Sequence, residues 1–285
     1  MHFEWLRLRF DFTALERVVF PPVLAANILR GALGVISRQL TCRCSASGPH
    51  NPDCLYARVF EPVAHVPGPS GLSDHPRPFV FRARHLDGQI LFPGAAFHFH
   101  LNLFDPDPVI LSHLRDTFSA LEQHGLGPSR GKVRLTGFTT TSESVDLTPP
   151  TAVAQYLTVN FLSPTELKAS GRIAEKPDFP TLFSRARDRI ATLSSLYGPG
   201  PLDVDFPALG QRAVLIRLTA SDLHQVQATR YSTRTGQTHS LGGFTGSASY
   251  AGDLAEFLPW LQAAEATGVG RQAVWGKGEI RLSGI

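Results

Sequence analysis

The order in which two hydrophobic periods alternate along this chain leaves few folds open. Phe3-Glu4-Trp5-Leu6-Arg7-Leu8-Arg9-Phe10 alternates apolar and polar residues, the mark of a half-buried strand. Pro21-Pro22 then reads as the opening of a helix, with Ala25, Ile28, Leu29, Ala32, Leu33, Ile36 and Leu40 on one stripe and Arg30 and Arg38 off it. Strands follow at Phe79–Ala83 and Ala96–Leu103. A helix from Asp107 to His124 turns Ile110, Leu114, Phe118 and Leu121 inward, and a strand follows at Lys132–Phe138. That order is β-α-β-β-α-β, the ferredoxin-like arrangement.

The order recurs after Thr148-Pro149-Pro150. Tyr156–Leu162 is a strand, and Phe179–Tyr197 is a helix ended by Gly198-Pro199-Gly200. Strands are expected at Ala213–Leu218 and Gln225–Tyr231, with glycine-broken extended chain through Gly246. Asp253 is placed as the cap of a last helix, and Gly278–Leu282 closes as a strand. The expected fold is therefore α+β, two tandem ferredoxin-like units over residues 1–147 and 151–285.

Composition narrows the class. The chain has 285 residues, 42% hydrophobic and 18% charged, too apolar for a disordered protein. No apolar run approaches the roughly 18 residues of a membrane span, so no membrane is expected as a partner. No basic stretch followed by an apolar core marks a secretory signal near Met1. All three cysteines fall between Cys42 and Cys54, too few and too clustered for a disulfide framework. A reducing cytoplasm is the expected setting.

Net charge is only +3, but residues 1–60 carry seven arginines against four acids, and residues 212–285 seven basic against five acidic residues. Only Lys132, Lys168, Lys176 and Lys277 are lysines. Arginine's planar fork suits phosphate, although a GC-rich genome produces the same skew.

Two segments carry chemistry. In the first, Gly242-Gly243-Phe244-Thr245-Gly246, Gly268-Val269-Gly270-Arg271 and Trp275-Gly276-Lys277-Gly278 surround a helix. Gly243, Gly246, Gly276 and Gly278 would let backbone N–H groups approach phosphates, with Arg271 and Lys277 supplying charge; turns needing positive φ explain the same glycines. In the second, Cys42, Cys44, His50 and Cys54 offer three thiolates and an imidazole within 13 residues, a four-ligand zinc set. Arg185 and Arg189, one helical turn apart, and Arg230 and Arg234 near the end of a strand would grip phosphates; a solvated basic face is the plainer reading.

These end motifs, with Leu29-Arg30-Gly31-Ala32-Leu33-Gly34, Cys54-Leu55-Tyr56 and Gly131-Lys132-Val133-Arg134-Leu135, resemble the CRISPR repeat-processing endoribonucleases of the RAMP superfamily. The resemblance implies two ferredoxin-like domains. It also implies cleavage of CRISPR precursor RNA within repeats by the ribose 2′-hydroxyl, with no cofactor required, the enzyme remaining on the product. Repeat RNA, hairpin or unstructured, and other CRISPR-associated proteins are the implied partners. Many members place a catalytic histidine in the first helix or the loop after it; here only His50 stands nearby, with Arg30, Arg38 and Tyr56 as substitutes. A zinc-bound His50 could not also transfer protons. A non-catalytic RNA-binding subunit of an interference complex, and an unrelated ferredoxin-like protein with a small-molecule pocket, are the other readings.

Overall fold

The computed structural model describes residues 1–45, 48–62, 75–169, 171–231 and 236–284. Its elements are β1 (His2–Ala14), α1 (Ala25–Thr41), α2 (Leu55–Phe60), β2 (Phe79–Arg82), β3 (Ala96–Leu103), α3 (Pro108–Ser119) and β4 (Val133–Asp146). There follow β5 (Tyr156–Thr165), α4 (Phe179–Tyr197), α5 (Phe206–Ala213), β6 (Arg217–Val226), β7 (Gly243–Ala251), α6 (Leu258–Thr267) and β8 (Ile280–Ser283). The first sheet runs β2-β3-β1-β4 and the second β6-β7-β5-β8, every neighbour antiparallel. Both have the strand order of a ferredoxin-like unit, so the fold is two such units in tandem.

Alternation decides the faces. On β1, Leu8, Phe10 and Phe12 are at most 1% exposed, while Arg7, Arg9 and Asp11 point to the opposite face. Phe10 packs on Phe99 and Phe118 at centroid distances of 5.2 and 4.7 Å. The inward stripe expected on the 107–124 helix is buried, as are Leu182, Ala186, Ile190 and Leu193 of α4. Among the described residues, no helix is long and apolar enough to cross a membrane.

Four local expectations are corrected. Helix α1 starts at Ala25 rather than at Pro21-Pro22, because Leu24 turns into the left-handed region (φ 63°) and Asp87 Oδ1 accepts the Ala25 N–H at 2.6 Å. Ala213–Leu218 is not a strand: Asp205 caps Ala208 N at 3.0 Å and a proline in the first turn sets α5, with β6 beginning only at Arg217. The strand expected at Gln225–Tyr231 divides between β6 and a short hairpin, Thr229–Tyr231 with Thr238–Ser240. Asp253 does not cap the last helix, since Leu254–Phe257 form a turn and Phe257 precedes α6.

The two units meet at the carboxyl end of α6. Arg82 donates to the Glu265 and Ala266 carbonyls (2.7 and 3.1 Å), Asn102 to Ala266 (2.9 Å), and Arg189 to Thr267 (2.8 Å). Those carbonyls have no partner inside the helix and carry its partial negative charge. Asn102→Ala removes a buried donor and should cost about 1–3 kcal/mol, read as a lower denaturant midpoint with unchanged slope.

The open face of the first sheet also stores a pH response. Burial, then Arg7, His98 and Arg9, lower the His100 pKa to about 4. A histidine lowered in the folded state destabilises that state as it protonates, so stability should fall as pH drops from about 6.5 to about 4. His100→Gln should flatten that part of the stability curve, measured by denaturation at each pH.

Candidate nucleic-acid interface

Helix α6 runs into Gly268, and the glycine-rich loop that follows folds back over both units. Gly276 (φ 89°) lies against α1: a side chain there would meet Ala26 Cβ at 2.6 Å. Gly278 (φ 69°) lies against the Val269 carbonyl, which a Cβ would overlap. Both glycines are needed for the turn itself. Gly243 and Gly246 sit within β7, pressed on the backbones of Thr165 and Asp222.

Trp275 covers Arg30, whose guanidinium lies 5.2 Å from the indole centroid and 4.6 Å from that of Phe60. Arg30, off the apolar stripe of α1, is only 7% exposed beneath the loop, a cation held by aromatic faces. Lys277 departs further from expectation. It is fully buried and ion-paired with Glu166, so it holds the loop to the end of β5 instead of facing a phosphate. Burial lowers its pKa, and Glu166 offsets part of that.

Arg271 remains half exposed, 3.9 Å from Glu166. It lines a cavity of about 380 Å³ with Arg185, Arg189, Lys168, Arg77 and His75. Here the loop, α4 and the chain leading into β2 converge. Arg185 pairs with Asp188 at 3.2 Å, and Arg189 holds α6. Burial lowers the Arg189 pKa to about 10. Arg185 Nε and Arg189 Nη2 are buried with no hydrogen-bond partner among the described residues. Sequence reasoning found Arg185, Arg189 and Arg271 but missed Lys168, Arg77 and His75, which sit in short or loop segments with no periodicity to single them out. Arg230 lies on the short hairpin opposite His239, and Arg234 lies outside the described residues.

The remaining candidates form a separate cluster. His50 Nδ1 is 3.5 Å from Cys42 Sγ and 3.6 Å from Cys54 Sγ, and its Nε2 is 3.3 Å from Glu61 Oε2. Tyr56, only 2% exposed, donates to Glu61 at 3.0 Å, and Arg38 lies 6.0 Å from the Tyr56 ring centroid. None of His50, Arg38, Arg30 or Tyr56 lines the basic cavity.

A family model described as an N-terminal domain matches residues 3–155, and that of the CRISPR-associated endoribonuclease Cas6 matches residues 159–280. The match to the CRISPR-associated endoribonuclease Cas6 thus spans the second of the two units. It is similar to Thermus thermophilus Cas6 (TTHB231) at 16% identity and TM-score 0.58, over 99% of each chain. Against the product complex of that protein the TM-score is 0.61, at 16% identity, over 98% of this chain and 100% of the other. A product complex of Cas6 (TTHA0078) gives 17% identity and 0.58, covering 98% and 100%. A chain from a Cas6-RT-Cas1–Cas2 complex gives 13% and 0.58, covering 99% of this chain and 46% of that one. At such identities the likeness to these Cas6 structures is one of fold. Comparison with curated proteins finds no match.

Within this fold the buried lysine makes a sharp prediction. Lys277→Ala leaves the Glu166 carboxylate short of its partner and should destabilise the protein by about 3 kcal/mol or more. Denaturant unfolding checks this; a loss below about 0.5 kcal/mol would return Lys277 to a surface role.

Proposed function

We propose that this chain processes CRISPR precursor RNA by cutting within its repeats, through attack of a ribose 2′-hydroxyl on the adjacent phosphate. The 2′-oxygen loses its proton to a base and bonds to phosphorus; the bond to the 5′-oxygen breaks, and that oxygen takes a proton from an acid. A 2′,3′-cyclic phosphate and a free 5′-hydroxyl result. No metal ion takes part in the chemistry, and the enzyme keeps its product, as a positively charged cavity would.

One observation carries the reading: four cationic side chains, those of Arg185, Arg189, Arg271 and Lys168, line a single cavity. A phosphate there would accept from these cations, and fixed cations stabilise the charge of the phosphorane. His75 places an imidazole, the side chain best suited to proton transfer, in that cavity. His50, held between sulfurs and a carboxylate, is less suited, so Arg30, Arg38 and Tyr56 are read as supports of the loop and of α2. Other CRISPR-associated proteins are the proposed partners, in keeping with the assembled Cas6-RT-Cas1–Cas2 relative.

The second reading, an RNA-binding subunit that does not cut, is favoured by one fact: α1 contains no histidine. Incubation of a cognate repeat RNA in EDTA separates the two. Cleavage to a cyclic-phosphate end is expected, abolished with binding intact by a 2′-deoxy nucleotide before the cut. His75→Ala should slow cleavage about 100-fold or more, while His50→Ala in folded protein should leave residual cleavage. Arg271→Ala should reduce the log–log salt slope of binding by about one unit. Binding of the intact repeat without cleavage would decide for the subunit reading.

A further inference from the structure

The loop between α1 and α2 gathers every cysteine of the chain around one imidazole, and none of the catalytic chemistry uses it. The ligand atoms of Cys42, Cys44, His50 and Cys54 all lie within 4.8 Å of one another. In a tetrahedral zinc site, with Zn–S near 2.3 Å and Zn–N near 2.05 Å, the nitrogen-to-sulfur edge is about 3.6 Å. His50 Nδ1 stands 3.5 Å from Cys42 Sγ and 3.6 Å from Cys54 Sγ.

Hydrogen bonding accounts poorly for that arrangement. Nε2 faces Glu61 Oε2 at 3.3 Å, which suits an N–H at Nε2 and leaves Nδ1 a single lone pair. Two weak thiol donors cannot both be served by one lone pair. A cation at the centre serves all three sulfurs and the nitrogen together. The outer shell is also in place. Glu61 would fix the imidazole tautomer, and Tyr56 O–H fixes Glu61 at 3.0 Å. Asn51 N–H donates to Cys44 Sγ at 3.3 Å.

We propose that Cys42, Cys44, Cys54 and His50 bind a zinc ion, with Glu61 holding the far nitrogen of the His50 ring. Four protein ligands leave no open position, so the site is structural. It ties Cys42, directly after α1, to Cys54, directly before α2. Helix α2 in turn supplies Phe60, the ring beneath Arg30, so the zinc supports the underside of the glycine-rich loop. It also occupies the His50 nitrogen that a proton-transfer role would need.

Metal analysis of the full-length protein, purified without chelators, should give about one zinc per chain. Its three thiols should resist Ellman's reagent until a mercurial releases the metal. Cobalt exchanged into the unmodified protein should show the visible bands of tetrahedral thiolate ligation, a readout that needs no variant to fold. Glu61→Gln keeps all four ligands, so it should retain the stoichiometry while weakening zinc about 10- to 100-fold against a competing chelator. Cys44→Ser should lose the metal and lower the unfolding temperature. Protein that lacks metal, refuses added zinc and exposes three reactive thiols would overturn the proposal. So would recovery of two of the cysteines as a disulfide. An unchanged zinc affinity in Glu61→Gln would remove Glu61 from the site.

Discussion

Three donors on the last carbonyls of one helix hold this molecule together. Arg82 and Asn102 reach from the first sheet and Arg189 from the second unit's long helix, and all end on residues 265–267 of α6. Burying two guanidinium groups side by side is costly; burial lowers the pKa of both, and Arg82 adds to the shift at Arg189. Carbonyls at the negative end of a helix offset that cost, since they need donors and attract cations. The arrangement fixes the point where the glycine-rich loop begins.

From there the loop has little freedom. Lys277 anchors it to Glu166, Trp275 lies over Arg30, and Gly276 rests on Ala26. The basic cavity is a consequence of that placement, because Arg271 comes from the loop, Arg185 from α4 and His75 from the chain entering β2. The thiol cluster acts at the other face of the same support, by setting where α2 and Phe60 lie beneath Arg30. The proposed phosphate chemistry and the support of the loop thus fall to separate residues.

The sequence made the fold readable because its signals are local. The period-2 run in β1 and the 3.6-residue stripe in α4 follow from burial of one face, and α4 runs from Phe179 to Tyr197 as the spacing predicts. Helix ends were less readable where distant groups decide them: Asp87, 62 residues from Ala25, takes the cap that the prolines seemed to mark. The site was half readable. Glycines and arginines announce a loop with charge, but only the folded chain shows that Lys277 is buried against a residue 111 positions away. It likewise takes the fold to bring Lys168, Arg77 and His75 beside Arg185.

The central claim is that the cut phosphate lies in the cavity shared by α4 and the glycine-rich loop. A crystal structure with the cleaved repeat bound measures this directly. The terminal cyclic phosphate should lie within hydrogen-bonding distance of Arg185 and Arg271, with His75 beside the ribose. A phosphate bound at the loop of Cys42 to Cys54, with the cavity free of RNA, would contradict the account.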